Sequence, residues 1–203
     1  MCKLPIWYFE KVLEVSMFCE EKVAQMAAYL LHKCGGRMAY LKLMKLLYLA
    51  DRVSMNDYGY SITGDRMVSM PKGPVLSQTL NLITGDYASD EFGWGAWIKS
   101  EKNYEISLKR KKDVTRDDFE SLSDAELGVL DAIWEQFGHM SRFDIVEYTH
   151  KHCTEWQDPG GSSYPISLSS VFIAVGKSPE VAEKLARELI ERQQLDCFLQ
   201  GLR

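Results

Sequence analysis

At 203 residues, 46% apolar and 26% charged, the chain has the size and make-up of an ordinary globular domain, long enough to bury a substantial core. A net charge of −5 and a pI near 5.5 argue against non-specific nucleic-acid binding as the main activity and fit a partner with a basic surface. Five scattered cysteines, Cys2, Cys19, Cys34, Cys153 and Cys197, form no CxxC and read as reduced cytosolic thiols, not as a disulfide framework or zinc site.

No apolar run approaches about 18 residues, so no membrane span is expected. Residues 1–16 carry Glu10 and Glu14 among their aromatics and lack the unbroken apolar segment of a signal peptide; they read as an N-terminal appendage. The first helix is predicted from Glu20 to Lys33, with Val23, Ala24, Ala27, Leu30 and Leu31 on one face and Gly35-Gly36 as its stop. A second helix follows over about 39–56. Leu43, Met44, Leu46, Leu47, Tyr48 and Ala50 cover nearly its whole girth, leaving Lys42, Lys45 and Arg52 on one narrow polar stripe. A helix apolar over so much of its surface belongs at the centre of a fold. Asp51 falls inside the apolar arc and needs a cation or several N–H donors there.

Residues 62–65 read as a turn and Met67–Met70 as extended. Gly73 and Pro74 then have the form of a helix N-cap and first turn, with Leu76, Leu80 and Ile83 as the apolar stripe and Gly85-Asp86 as the stop. Trp94, Trp97, Ile98, Tyr104, Ile106 and Leu108, divided by Lys99–Asn103, predict an antiparallel β-hairpin over about 92–110. Such a hairpin is marginal alone and should lean on the helices or pair with Met67–Met70. Ser123-Asp-Ala-Glu126 is a capping box opening a helix to Gly138, and Ser141-Arg-Phe-Asp144 opens another to about His152. A polar loop at 154–165, a short buried helix at 168–175 and an amphipathic helix from Ser178-Pro179-Glu180 complete the chain. The sum is a mainly α, single helical domain over 17–203 around the second helix, with a small β insertion. No internal repeat or dividing linker is present.

The catalytic motifs are weak. Glu147-Tyr-Thr-His150 has the ExxH spacing of a di-iron ligand pair, but only one copy is present. His150 reads instead as a half-buried structural histidine, bonded to a carboxylate or a carbonyl. Pairing it with Asp51 would join two distant segments. There is no GxSxG, no P-loop and no dinucleotide fingerprint. Cys34, at a helix C-terminus, meets the negative end of the dipole, which raises a thiol pKa. The basic run Lys109–Lys112 suits a solvated strand edge. The helices at 123–138 and 141–152 have helix-turn-helix spacing, which leaves a DNA-binding regulator as an alternative, but beyond Arg142 the second helix offers few base-reading groups. A metal-dependent hydrolase built on His150 is a further alternative. Trp94, Trp97 and Phe92 are partner-binding aromatics if exposed and core if not.

The segment from Ala28 to Gly59, "AYLLHKCGGRMAYLKLMKLLYLADRVSMNDYG", followed by "ITGDRMVSMPKGPVLSQTL", resembles the Panacea domain family, also called SocA-like or GepA-like. The resemblance covers roughly residues 20–160 through a KLxKLLYxA helix, a GP element and a later S…TH…W, here Ser141, Thr149-His150 and Trp156. Tyr48, Asp51, Gly73, Pro74, His150 and Trp156 are the motif positions. Lys72 stands where the family more often has an aromatic residue, which alters any contact surface formed there. The resemblance implies a cytoplasmic bacterial or phage-encoded antitoxin, non-enzymatic and without cofactor. Its partner would be a cognate protein toxin, neutralised by direct binding or delivered to a protease. The candidate partner-binding residues are Lys42, Lys45, Arg52, Lys72, Trp94 and Trp97.

Overall fold

The computed structural model describes residues 18–109 and 114–200; the expected N-terminal appendage and Arg110–Lys112 of the basic run lie outside them. Helix α1 (Glu20–Lys33) buries the predicted face, and Gly35 and Gly36, both with positive φ, turn the chain into strand β1 (Arg37–Ala39). Helix α2 (Tyr40–Tyr58) ends at left-handed Gly59, whose N–H donates to the Met55 carbonyl. Every residue from Leu43 to Asp51 is buried. Neighbours therefore surround this stretch on all sides, and the charged side chains on it must find their partners inside the protein.

Strands β2 (Met67–Met70) and β3 (Gly73–Leu76) form a tight antiparallel hairpin, followed by α3 (Ser77–Thr84). The expected helix start at Gly73-Pro74 is thus corrected: those residues lie in a strand, and the helix begins three residues later, at Ser77. Pro74 pairs with Ser69 on a strand that has a neighbour on one side only, a position that tolerates a missing N–H as well as a helix's first turn does. The start of α3 is fixed instead by Asp65, whose carboxylate accepts from Gln78 N (2.9 Å), Thr79 N (2.7 Å) and Thr79 Oγ1 (2.7 Å). Burial raises the Asp65 pKa against the pull of these donors. Asp65→Ala is expected to cost about 2 kcal/mol and to strip amide-exchange protection from Gln78 and Thr79. Unchanged protection there would mean that the helix needs no side chain from the preceding turn.

The second β element is displaced from its predicted bounds. Trp94–Trp97 form a short helical turn, α4, and the hairpin proper is β4 (Ile98–Glu101) with β5 (Glu105–Leu108). Its turn places Asn103 and Tyr104 at positive φ. Its third strand is β1, in the order β1-β5-β4, and not Met67–Met70.

Helix α5 (Asp124–Phe137) carries the predicted capping box of Ser123 and Glu126, and α6 (Arg142–His152) the box of Ser141 and Asp144. Strand β6 (Tyr164–Pro165) adds to β2, giving a second three-stranded sheet, β3-β2-β6. Helices α7 (Leu168–Ala174) and α8 (Pro179–Gln200) follow; of the expected buried helix only Val171 and Phe172 are buried, and Ile173 and Val181 stand exposed. The fold is mainly helical, with two small antiparallel sheets. Helix α2 packs against α1, α3, α5, α6, α7, β1 and β3, and its apolar residues share one cluster with those of its neighbours.

Candidate functional site

The three cations of α2 do not form a wetted face. Lys42 donates to the Gly138 carbonyl at the end of α5 (2.6 Å) and lies 5.5 Å from the centroid of the Trp134 ring. Lys45 is fully buried and donates to the Pro74 carbonyl (2.6 Å). Arg52 Nε donates to Glu155 Oε1 (2.9 Å), and its Nη2 reaches the carbonyls of His152 (3.2 Å) and Ala174 (3.1 Å). A helical wheel sees only its own helix. Each of these acceptors comes from an element that packs over the stripe.

Burial disfavours the charged form of each lysine: it lowers the Lys42 pKa and pulls Lys45 down to about 7. Burial would also lower Arg52, but the Glu155 carboxylate reverses this and the net shift is upward. Tyr48 donates its hydroxyl to the same Glu155 oxygen (2.7 Å), and burial together with that charge lifts its pKa well above the usual phenol value. The Glu155 side chain is wholly buried, and its Oε2 has no hydrogen-bond partner among the described residues.

Asp51, also wholly buried, receives Ser61 Oγ (2.8 Å), Thr63 N (3.0 Å) and Thr63 Oγ1. Its pKa is pushed up to about 6 by burial, with the three donors pulling the other way. The need for donors at this position is met by the turn at 61–63, and not by His150. The His150 ring stacks on Trp156, with centroids 4.1 Å apart and planes 9° apart. Its Nε2 is buried and has no partner among the described residues, so the expected bond to a carboxylate or carbonyl is not found there at that nitrogen. Glu147 is exposed where His150 is half-buried, and among the described residues no group of three His, Cys, Asp or Glu side chains is placed to hold a metal ion.

The GP element is explained by what surrounds it. Gly73 sits at φ 91°, and a Cβ there would lie 2.8 Å from Thr149 Oγ1, 3.0 Å from Lys45 Nζ and 3.1 Å from His150 Cδ2. Only glycine combines that backbone angle with so close an approach. On the other arm of the hairpin, Trp156 Nε1 donates to the Met70 carbonyl (3.0 Å), and Gln157 N to Ser69 Oγ (3.2 Å). The β2–β3 hairpin is therefore clamped from both sides, with Lys72 exposed at its tip.

Of the aromatic candidates, Trp94 is buried and donates its backbone N–H to Glu20 Oε1 (2.7 Å). Trp97 is half-buried and stacks on Phe119 at 5.8 Å. Both belong to the packing of α4 against α1 and the hairpin, whereas Phe92 stands 70% exposed. Phe143, not singled out from the sequence, is 65% exposed. It precedes His150 by nearly two full turns on the same helical face, about 10 Å along α6. Glu155 was also passed over, as one acid in a polar loop; its only signal was adjacency to the motif residue Trp156. Cys34 and Cys153 are poor nucleophiles: burial pushes the Cys153 thiol up to about 12 and raises Cys34.

Residues 43–157 match the family model described as antitoxin SocA-like, Panacea domain. This is more than half of the chain, and it runs from α2 through the clamped hairpin and α6 to Gln157. No curated protein and no solved structure matches the chain.

Proposed function

The chain belongs to the SocA-like Panacea antitoxin family, and from that premise we propose that it neutralises a cognate protein toxin by binding it directly. The observation that carries this reading is the family match itself, whose span contains the elements tied together by Lys45, Arg52 and Trp156. The acting unit is one domain over residues 17–203, working in the cytoplasm by occlusion and not by catalysis. Its interior network spends α2's cations on holding neighbouring elements still. A rigid, preformed surface binds without the cost of ordering it at the moment of contact.

We place the toxin-facing surface at the β2–β3 hairpin tip and the outward face of α6. Lys72 at the hairpin tip and Phe143 in the first turn of α6 are both exposed. The Arg142 guanidinium lies 4.9 Å from the centroid of the Phe143 ring, and an exposed aromatic beside a cation is the kind of anchor that dominates protein interfaces. Lys42, Lys45 and Arg52 tie together the elements behind this surface, whereas Trp94 and Trp97 pack away from it, against α1 and Phe119. The test is calorimetric titration of the purified chain with the protein encoded by the adjacent reading frame. Lys72→Glu and Phe143→Ala are each expected to weaken binding by about 10-fold or more, while folding stability stays within about 0.5 kcal/mol. Unchanged affinity in both variants would remove this face from the interface.

A further inference from the structure

The clamp on the β2–β3 hairpin contains a buried cation with no opposing carboxylate among the described residues. Lys45 Nζ is in contact with the Pro74 carbonyl, and Gly73, Thr149 and His150 converge on the same spot. The titratable groups facing it are His150 from α6 and Cys153 just after that helix; β3 contributes backbone at Gly73 and Pro74. Further along α2, Glu155 is engaged by Tyr48 and Arg52. Asp158 acts on His150 but does not reach the lysine. Two nitrogen bases thus converge on Gly73: an ammonium with one acceptor, and an imidazole whose Nε2 has none among the described residues.

We propose that Lys45 and His150 form a proton-operated latch on the β2–β3 hairpin, seated while the pair carries one positive charge and loosened when it carries two. With a single charge, Lys45 holds Pro74 and the neutral imidazole lies flat on Trp156, which in turn holds the Met70 carbonyl. A second proton on His150 places two cations over Gly73 with no carboxylate between them. Of the two, only half-buried His150 can turn outward to water. Doing so breaks the stack on Trp156 and frees the hairpin tip that presents Lys72. Burial, and then the charge on Lys45, both lower the His150 pKa, so this second protonation requires acidification. Lys45 and His150 are positioning residues for the tip, and the latch belongs to the free protein whether or not a toxin is its partner.

The test uses the full chain alone. The His150 imidazole is titrated by NMR, and amide-exchange protection of Met70, Gly73 and Val75 is followed with pH, relative to Leu30 in α1. The wild type should lose relative protection at the hairpin with the same midpoint as His150. Lys45→Met should move the His150 midpoint upward and abolish the pH-dependent loss. His150→Gln, at a half-buried position and easier to accommodate, should abolish the loss with the lysine in place. A hairpin profile that ignores the His150 midpoint in the wild type, or that persists in His150→Gln, would overturn the latch. So would a His150 midpoint unmoved in folded Lys45→Met.

Discussion

Arg52→Ala is expected to destabilise the protein by about 3 kcal/mol in urea denaturation near neutral pH. The substitution removes the cation bonded to a carboxylate that has no access to water: the Glu155 side chain is wholly buried, and its Oε1 is held by Arg52 Nε and the Tyr48 hydroxyl. An unpaired buried charge is far costlier than the pair is favourable. The same guanidinium donates to the His152 and Ala174 carbonyls, so its loss also unties the end of α6 and α7 from α2. Arg52→Lys should recover little, because one ammonium cannot reproduce the fork that serves three acceptors. Adding Glu155→Gln to Arg52→Ala should recover part of the loss by removing the stranded charge. A cost below about 1 kcal/mol would put Arg52 among ordinary surface ion pairs.

The second large effect is at Asp51. Asp51→Leu is expected to cost about 3 kcal/mol, because it leaves the Thr63 N–H and the hydroxyls of Ser61 and Thr63 buried without their acceptor. Adding Ser61→Ala and Thr63→Val should restore part of the stability, and only part, since the Thr63 N–H cannot be removed by either change. Full additivity of the three losses would mean that these groups do not interact. The pH dependence has a definite sign. The folded state raises the Asp51 pKa from 3.8 to about 6, so native protein holds this proton more tightly than unfolded chain does. The associated stability is complete below pH 3.8 and is lost as pH rises through about 6. At about 1.4 kcal/mol per pH unit this amounts to about 3 kcal/mol. Asp51→Asn should flatten that slope between pH 4 and 7; an unchanged slope would assign it to other groups.

These two residues show where a single sequence informs and where it stops. Asp51 was visible as a charge inside an apolar arc, and the inference that it needs donors followed from desolvation alone. The donors themselves, at 61 and 63, gave no comparable sign, because serine and threonine in a turn are common. The stripe of Lys42, Lys45 and Arg52 was equally visible, but its meaning was not. Its acceptors at Gly138, Pro74 and Glu155 come from parts of the chain that only tertiary packing brings near. Gly73-Pro74 was misread for a related reason. A proline that donates no hydrogen bond suits a helix's first turn and an outer strand alike, and the deciding interaction, Asp65 with Gln78 and Thr79, is a long-range one. Helix limits were more legible. The capping boxes at Ser123 and Ser141 and the stop after Lys33 are local, and they stand where the residues placed them. The β insertion was legible as a hairpin, but its third strand, Arg37–Ala39, is too short to show a period of two.

The most direct measurement of direct neutralisation is growth on co-expression. The adjacent reading frame is induced alone and together with this chain, in a host lacking its ATP-dependent proteases, and the two proteins are then purified through a tag on one. Arrest by the adjacent product alone, growth restored by this chain and a stoichiometric complex on the column are the expected results. Arrest that persists although the chain is folded and abundant, or rescue that needs the proteases and leaves no complex, would contradict neutralisation by binding.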